Sequence, residues 1–312
     1  MSWEPTATIK SLQKRAQVLA VIRRFFSAHG VMEVETPLLA STTVTDPNLE
    51  SLCVESENRY LQTSPEYFMK RLLASGSGAI YSLAKAFRKD EAGNNHNPEF
   101  TMLEWYQPGF DDRQMAGEVI ALIQQLKPGV TIVESTYAEL FEQACGANPH
   151  TATTQSLREL AHQKLNIDWP DERRSLWLDL LFTHMVEPNL PDGVQIVFDY
   201  PQCQSALART LANEKGETVA RRFEVYWHRI ELANGYWELI DAAEQNARFA
   251  DDCAVRLQLQ RPAIKPDARL IAALEAGMPE CAGVALGVDR LLMCLTGAKH
   301  IDQVISFSSH CS

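Results

Sequence analysis

The sequence predicts an α+β fold in which helices pack against a mostly antiparallel β-sheet. Segments with strand patterns follow one another through loops and hairpins, and few strand–helix–strand units occur among them. The composition, with 46% hydrophobic and 22% charged residues, is that of an ordinary globular protein. The 312 residues suit one large domain, in which residues 128–190 form a peripheral helical insert.

The first part of the chain predicts a helix, a short strand and a second helix. Apolar residues recur at helical spacing over residues 9–29, and Gly30 ends that helix. The segment "VMEVETPLL" predicts a short strand that stops at Pro37. In "SPEYFMKRLLASG", Ser64 is a good N-cap and Pro65 suits the first helical position, so a second helix is expected there.

The next segments predict a hairpin with a long loop. Its strands are "AIYSLAKAFRKD" and "EFTMLEWYQP", and the loop "EAGNNHNP" consists of turn-forming residues. Successive side chains of a strand point to opposite faces, so the second strand has one face made of Phe100, Met102, Glu104 and Tyr106. A carboxylate in the middle of this apolar row needs an explanation, because a buried charge is unfavourable without a partner.

The rest of the chain continues to alternate between helices and strands. The sequence predicts helices at about 111–126, 136–145, 154–166, 173–186, 241–259, 266–277 and 288–297. It predicts extended segments at "VQIVFDYP", "RRFEVYWHRIEL", "NGYWELID" and "AGVALG".

Charge and cysteine content limit the classes of function. The chain has 29 Lys and Arg against 40 Asp and Glu, a net charge of −11, so stable nucleic-acid binding is not expected. Seven scattered Cys without a CxxC pair, and eight His without ligand spacing, predict a reduced cytoplasmic protein with no zinc site. The N-terminal residues lack an apolar signal segment and no long apolar run follows, which predicts neither secretion nor membrane insertion.

Arg88 and Phe100 stand at the two ends of the hairpin loop. A guanidinium beside a planar ring can hold a phosphate and stack a purine. Taken alone, however, the two residues are more simply interpreted as a surface arginine and a core phenylalanine.

Two glutamates seven residues apart predict a cation site. Glu224 and Glu231 would face opposite ways in one straight strand, but a turn or bulge would bring both to one site. His228 and Arg229 are the expected position of that turn. Neighbouring carboxylates repel each other unless a cation lies between them, and Mg²⁺ carrying ATP phosphates would serve. An exposed acidic hairpin is the alternative.

The segment "GVALGVDR" is a third candidate. Gly283 and Gly287 thin a strand so that a ligand or another backbone can approach, and Arg290 begins the helix beyond it. The alternative is tight packing of a helix on the sheet with a surface arginine. These candidates contain no nucleophile paired with a histidine, and they suit attack of a substrate carboxylate on the ATP α-phosphate while the protein positions and neutralises charge.

Together these segments resemble the catalytic core of class II aminoacyl-tRNA synthetases. "GVMEVETPLL" resembles the first motif of that class, "FRKDE" with "HNPEFTMLEWY" the second, and "GVALGVDR" the third, in the family order. Within the class, "SPEYFMKRL", "HNPEFTMLEWY" and "RFEVYWHRIELANGYWEL" are similar to lysyl-tRNA synthetase. The resemblance covers residues 16–306, is weakest over 128–190, and implies a class II catalytic core and a homodimer that forms through the first motif.

The resemblance implies a role for each matching residue. Arg88 would hold the α-phosphate and the substrate carboxylate, Phe100 would stack on adenine, and Arg290 would bind the γ-phosphate. Glu224 and Glu231 would hold Mg²⁺. The further residues implied at the nucleotide are Lys89, Asp90, His96, Asn97, Glu231, Leu232 and Gly287. The residues implied at the amino acid are Ser64, Pro65, Glu66, Glu104, Tyr106, Asn234, Tyr236, Glu238 and Ala285.

Two features of the sequence differ from lysyl-tRNA synthetase and indicate a more specific relative within the class. In the tRNA enzyme an anticodon-binding barrel precedes the core, whereas here the core begins close to Met1, so no such domain is expected. Ala285 replaces the middle glycine of the third motif and adds a methyl to the implied pocket floor. Both features resemble truncated paralogues that attach β-lysine to translation elongation factor P. Asp90 also stands where the family usually has Glu, and Glu91 is a candidate substitute.

The resemblance therefore implies an ATP-dependent ligase. It would activate (R)-β-lysine, and lysine weakly, as an adenylate with ATP and Mg²⁺, and pass it to a lysine of translation elongation factor P. One alternative is a stand-alone lysine-activating enzyme that acts on tRNA or a small amine. The other is an inactive, synthetase-like regulatory module, against which the two arginines and the paired glutamates argue.

Overall fold

The structure is a computed structural model that describes residues 3–311. Within that range the helices are α1 (Ile9–Ala28), α2 (Glu66–Ala74), α3 (Asp112–Leu126), α4 (Tyr137–Cys145), α5 (Thr154–Leu165), α6 (Arg174–Leu181), α7 (Ala242–Gln258), α8 (Ala268–Gly277) and α9 (Val288–Thr296). The strands are β1 (Met32–Glu33), β2 (Leu39–Ala40), β3 (Cys53–Val54), β4 (Arg59–Leu61), β5 (Ile80–Phe87), β6 (Glu99–Pro108), β7 (Ile132–Thr136), β8 (Val194–Pro201), β9 (Thr210–Ala212), β10 (Thr218–Trp227), β11 (Ile230–Trp237) and β12 (Cys281–Gly287). They divide between a first unit, residues 3–128 with 238–311, and a second unit, Gly129–Trp237.

The main sheet of the first unit has the strand order β1–β5–β6–β12. Strand β1 runs parallel to β5, and the other pairs are antiparallel, which confirms the predicted hairpin. Glu104 lies opposite Ser82 on one side and opposite Ala285 on the other, while Gly283 lies opposite Tyr106. Directly opposed residues share a face of the sheet, so small side chains flank Glu104.

The two faces of β6 have different surroundings. On one face Trp105 packs against Phe26 of α1 with ring centroids 5.3 Å apart, and Phe26 stacks on Tyr81 at 4.4 Å. The Trp105 indole also donates a hydrogen bond of 2.7 Å to Glu118 of α3. This face belongs to the hydrophobic core. Glu104 points to the opposite face because side chains alternate along a strand.

Side chains cap several helices of the first unit. The hydroxyl of Thr8 accepts a hydrogen bond from the first turn of α1, and Asp111 forms a capping box at α3. Helix α2 begins at Glu66, so Pro65 precedes its first residue rather than occupying it. Pro65 is therefore the N-cap residue, and Ser64, predicted for that position, lies one residue earlier, where its hydroxyl accepts from the Glu66 N–H at 3.0 Å. Within residues 3–311 no helix is long and apolar enough to span a bilayer.

The second unit contains a sheet with the order β11–β10–β8–β7, to which β9 is added along β10. Strand β7 is parallel to β8, and the other pairs are antiparallel. The three predicted helices of residues 128–190 form, but the prediction of helices alone there is wrong. Strand β7 was missed because it has five residues with little apolar alternation and pairs only with the distant β8. The core of the unit includes Tyr137, Phe141, Trp177, Leu178, Phe182 and Tyr200.

The predicted turn between the paired glutamates is present. His228 and Arg229 have φ of +51° and +66°, as in the tight turns that join two antiparallel strands. They split the extended segment predicted over "RRFEVYWHRIEL" into β10 and β11. The pairing also shifts between Val225 and Tyr226, which leaves Leu232 as the extra residue of a β-bulge.

Candidate active site

Three carboxylates and one ammonium group meet in the first unit, beside the face of β6 that carries Glu104. We call Glu66, Glu104, Glu238 and Lys70 the carboxylate cluster. The Nζ atom of Lys70 lies 2.7 Å from Oε1 of Glu66 and 2.6 Å from Oε2 of Glu238. The side chains of Lys70 and Glu238 are each 1% exposed, and Glu104 is 2% exposed. Such burial is unusual for charged groups and indicates that they act together.

Glu104 occupies the centre of a hydrogen-bond network. One carboxylate oxygen accepts from the Tyr106 hydroxyl at 2.7 Å, and the other accepts from the Ser64 hydroxyl at 2.7 Å. Burial and the negative charge of Glu66 raise the pKa of Glu104 to about 8, although both hydrogen bonds oppose the shift. A cationic ligand that entered this site would therefore favour the ionised carboxylate and displace its proton.

Lys70 is a site residue that the sequence analysis missed. Burial alone would lower its pKa, but the carboxylates of Glu238 and Glu66 outweigh burial and raise the pKa above its usual value. Glu66 and Lys70 are four residues apart on α2, a spacing that predicts an ion pair. The contact with Glu238 joins distant parts of the chain, and no local pattern predicts it.

The structure gives Gly283 a role that the sequence analysis did not name. A Cβ atom placed there would lie 2.3 Å from the Tyr106 ring and 2.6 Å from a carboxylate oxygen of Glu238. The close neighbours are thus two side chains of the site, and the approach of a ligand to this strand stays a prediction. At Gly287 the nearest atoms to an added Cβ would belong to the Arg290 side chain, at 3.6 Å. Ala285, between them, lies opposite Glu104, so its methyl is on the same face as that carboxylate.

Arg88 and Phe100 come together at the base of the hairpin loop. The guanidinium carbon of Arg88 is 5.2 Å from the centre of the Phe100 ring, and both side chains are half-buried. Arg88 also lies 3.6 Å from the carboxylate of Glu91. A half-buried arginine over a ring provides both a positive charge and a flat surface, which is the combination that a nucleotide requires.

Arg290 lies in the first turn of α9 and meets the same hairpin loop. A guanidinium nitrogen is 2.5 Å from Nε2 of His96, and another is 3.4 Å from the carbonyl oxygen of Asn95. The structure therefore joins the second and third predicted motifs. The loop is held from the other side by Asn97, whose amide donates to the Glu99 carbonyl at 2.6 Å and accepts from the Ser309 N–H at 3.0 Å.

The hairpin loop also contains Lys89, Asp90 and Glu91. Lys89 and Asp90 are exposed, and Asp90 adopts a left-handed conformation with φ of +62°. The acidic group that reaches Arg88 belongs to Glu91. Glu91 thus lies beside Arg88, while a contact of either acid with adenine stays a prediction.

Glu224 in the second unit is buried and surrounded by donors. Its carboxylate accepts from the hydroxyls of Tyr200 at 2.7 Å and Tyr226 at 2.5 Å, and it forms an ion pair with Arg222. Burial raises its pKa, Arg222 opposes that rise, and the nearby charge of Glu231 adds to it. The alternative of an exposed acidic hairpin is wrong for Glu224, which is 7% exposed. Arg222 was not predicted from the sequence.

The β-bulge brings Glu231, Asn234 and Tyr236 to the face that carries Glu224. Glu231 lies opposite Tyr226, and Glu224 lies opposite Asn234, whose amide donates to the Tyr236 hydroxyl at 3.1 Å. Side chains of opposed residues share a face, so the two carboxylates are neighbours, as the pKa of Glu224 also indicates.

The donor chemistry of this face fits Mg²⁺. Two carboxylates are the usual protein contribution to a magnesium ion that also binds substrate phosphates. Among residues 3–311 no group of three or more acidic, histidine or cysteine side chains is arranged to hold a metal. A magnesium ion held by Glu224 and Glu231 together with a phosphorylated substrate stays a prediction.

Comparison with known proteins gives a consistent result along the whole chain. Residues 3–310 match the family described as tRNA synthetases class II (D, K and N). A protein of Histophilus somni is 44% identical over 319 aligned residues, which cover 99% of this chain and 98% of the relative. Relatives from Haemophilus ducreyi and Vibrio cholerae are 43% and 46% identical, each over 98% of this chain and 96% and 97% of their own lengths. All three carry the name elongation factor P–(R)-beta-lysine ligase.

Proposed function

This chain belongs to the class II tRNA synthetases of the D, K and N group, and on that premise we propose that it is an ATP-dependent ligase. It activates (R)-β-lysine, and lysine weakly, as an aminoacyl-adenylate. It then transfers the acyl group to a lysine side chain of translation elongation factor P. The acceptor and the β-isomer are supported by the names of relatives that match nearly the full chain.

The observation that carries the proposal is the carboxylate cluster. Its three carboxylates and one ammonium leave an excess of two negative charges when all are ionised. Buried charge is unfavourable unless it is matched, so the cluster suits a ligand with two positive charges. A lysine-type amino acid has two ammonium groups. Glu238 and Tyr106 are proposed to meet the distal one, and Glu66 and Glu104 the other.

The first chemical step is proposed to depend on residues at the base of the hairpin. An oxygen of the substrate carboxylate attacks the α-phosphorus of ATP, and pyrophosphate leaves. Arg88 neutralises the charge that develops on the α-phosphate, Phe100 stacks on adenine, and Arg290 binds the γ-phosphate. Mg²⁺ held by Glu224 and Glu231 would neutralise the remaining phosphate charge.

In the second step the ε-amine of the acceptor lysine attacks the carbonyl carbon of the adenylate. The new carbon–nitrogen bond is an amide, AMP leaves with the electrons of the broken carbon–oxygen bond, and the amine loses a proton. No covalent bond to the protein is needed. This agrees with a site made of arginine, glutamate and aromatic side chains.

Ala285 is the residue proposed to favour the β-isomer. The amino group lies on the carbon next to the carboxylate in α-lysine and one carbon further out in β-lysine. Since the carboxylate and the distal ammonium are both held, the second amine must lie in different places for the two isomers. The Ala285 methyl shares a face with Glu104, where it would crowd one of these positions.

ATP–pyrophosphate exchange with a panel of amino acids tests the first step. We expect the highest exchange with (R)-β-lysine, weaker exchange with lysine, and none with leucine or glutamate. Exchange that is highest with a neutral or acidic amino acid would contradict the proposal.

The acceptor is tested by incubating the protein with ATP, β-lysine, elongation factor P and tRNA. A mass increase on the factor is expected, whereas efficient tRNA charging without that increase would favour the tRNA alternative.

The proposal includes a homodimer in the cytoplasm that forms no stable complex with nucleic acid. Sedimentation of the purified protein with and without tRNA tests the homodimer and the expectation that no stable complex forms with nucleic acid. A monomer, or a comigrating tRNA complex at physiological salt, would contradict them.

A further inference from the structure

Lys70 is a buried cation that belongs to the protein, yet it lies among the acidic groups proposed for a cationic substrate. It projects from α2 and places its Nζ atom between Glu66 and Glu238, at 2.7 and 2.6 Å. Glu66 is on the same helix, whereas Glu238 follows the second unit and is anchored by its own N–H, which donates to the Cys281 carbonyl at 3.0 Å. The ammonium therefore ties together two carboxylates that come from different elements.

A buried carboxylate group without a counter-ion takes up a proton rather than remain charged. Three carboxylates within one pocket would do so readily, because each also repels the others. Glu104 already shows this tendency, since burial and Glu66 raise its pKa. Without Lys70 the repulsion between Glu66 and Glu238 would be unopposed, and no group would bridge the two carboxylates. Their positions relative to the substrate would then be lost.

We infer that Lys70 is a positioning residue that acts as a built-in counter-ion, and that it sets the excess negative charge of the carboxylate cluster at two when all three carboxylates are ionised. The inference rests on the proposed function, because two is the number of ammonium groups in a lysine-type substrate. Lys70 acts through Glu66 and Glu238, whose carboxylates it bridges and holds in place.

A double-mutant cycle distinguishes this role from simple packing. Lys70→Met removes the internal cation and leaves three carboxylates, so binding of a substrate with two ammonium groups should weaken. Glu66→Gln leaves two carboxylates with Lys70, an excess of only one, and should also weaken binding. Combining the changes restores an excess of two. The same Lys70→Met change should therefore strengthen binding in the Glu66→Gln background.

The measurement is calorimetric binding of (R)-β-lysine and of L-lysine to the full-length protein, without ATP. We expect Lys70→Met to raise the Kd at least about tenfold in the wild type and to lower it at least about threefold in the Glu66→Gln background. Arg71→Met is the matched control, because it removes a cation from the next position of α2, where the guanidinium lies over the Phe68 ring. Its Kd should stay within about twofold of wild type.

The outcomes separate the inference from the proposed function. If wild-type protein binds neither diamino acid, the proposed function fails and the inference fails with it. If wild type binds one of them and Lys70→Met raises the Kd equally in both backgrounds, Lys70 only packs and the inference alone is overturned. An unchanged Kd in Lys70→Met also overturns it. If Lys70→Met does not fold, the Kd of the double variant is compared with the Kd of Glu66→Gln. A lower Kd in the double variant supports the inference, and an equal or higher Kd overturns it.

Discussion

Replacing Gly283 by alanine should damage the site far more than replacing Gly287, four residues further along β12, by alanine. The new Cβ would lie 2.3 Å from Cε1 and 2.5 Å from Cδ1 of Tyr106, and 2.6 Å from Oε1 of Glu238. Carbon atoms pack at about 3.5–4.0 Å, so the Tyr106 ring would have to retreat by roughly 1 Å. The Tyr106 ring is itself buried, at 2% exposure, and has little room to do so.

The cost of this displacement has two parts. Forcing an extra methyl into a packed region costs about 1–3 kcal/mol. Moving Tyr106 also lengthens the 2.7 Å hydrogen bond that its hydroxyl donates to Glu104. A buried carboxylate that loses a donor costs a further 1–3 kcal/mol or so. We expect Gly283→Ala to lower the free energy of unfolding by roughly 2–6 kcal/mol and to weaken amino-acid binding at least tenfold or so.

Urea unfolding of Gly283→Ala and Gly287→Ala measures the first effect. The nearest atoms to an added Cβ at Gly287 belong to Arg290, at 3.6 Å, and the backbone there has a φ of −76° that alanine adopts readily. That variant should unfold within about 1 kcal/mol of wild type, or be slightly more stable. Calorimetric titration with lysine measures the second effect. Equal destabilisation by the two replacements would refute the reasoning, as would unchanged lysine binding in Gly283→Ala.

Three further predictions concern single residues. Arg88→Ala should reduce ATP–pyrophosphate exchange by about 10²–10³-fold, as for the loss of one donor to transition-state charge, and a rate within threefold or so of wild type would exclude that role. Ala285→Gly should keep adenylation but shift the kcat/KM ratio toward α-lysine by at least about tenfold, whereas equal slowing with both isomers would mean that the methyl only packs. Glu104 has a pKa raised by burial and by Glu66 to about 8, so the stability that its protonated form contributes is complete below its usual pKa and is lost as the pH rises through 8. Glu104→Gln removes that loss, so the variant should be at least 1 kcal/mol or so more stable than wild type at pH 9, and it should bind lysine poorly. Thermal unfolding of both proteins across pH 5–9 measures the stability. A parallel loss of stability in the two proteins would contradict the prediction.

Alternation and turn chemistry predicted much of the fold. The period of two along β6 assigned Glu104 and Trp105 to opposite faces, and the structure gives one to the site and the other to the core. The turn at His228 and Arg229 was predicted from a chemical argument, namely that two carboxylates at one site need a reversal of the chain between them. Local rules succeeded at these places because the neighbours along the chain decide the conformation.

Contacts between distant segments could not be predicted in the same way. The ion pairs of Lys70 with Glu238 and the parallel pairing of β7 with β8 depend on how elements pack, which no local spacing encodes. The close neighbours of Gly283 could not be predicted for a related reason. A glycine in a strand indicates that something comes close, but only the packed structure identifies the neighbour as the Tyr106 ring.

Charge balance connects these long-range contacts to the choice of substrate. With Lys70 present, a ligand with two ammonium groups can match every carboxylate of the cluster, and Glu104 can give up its proton. A neutral amino acid brings one ammonium group, so one buried carboxylate must then stay protonated or unmatched. Either result leaves a buried polar group poorly satisfied, at roughly 1–3 kcal/mol. Under the proposed function, discrimination against neutral amino acids would therefore follow from the number of buried charges, independently of the shape of the side chain that enters the pocket.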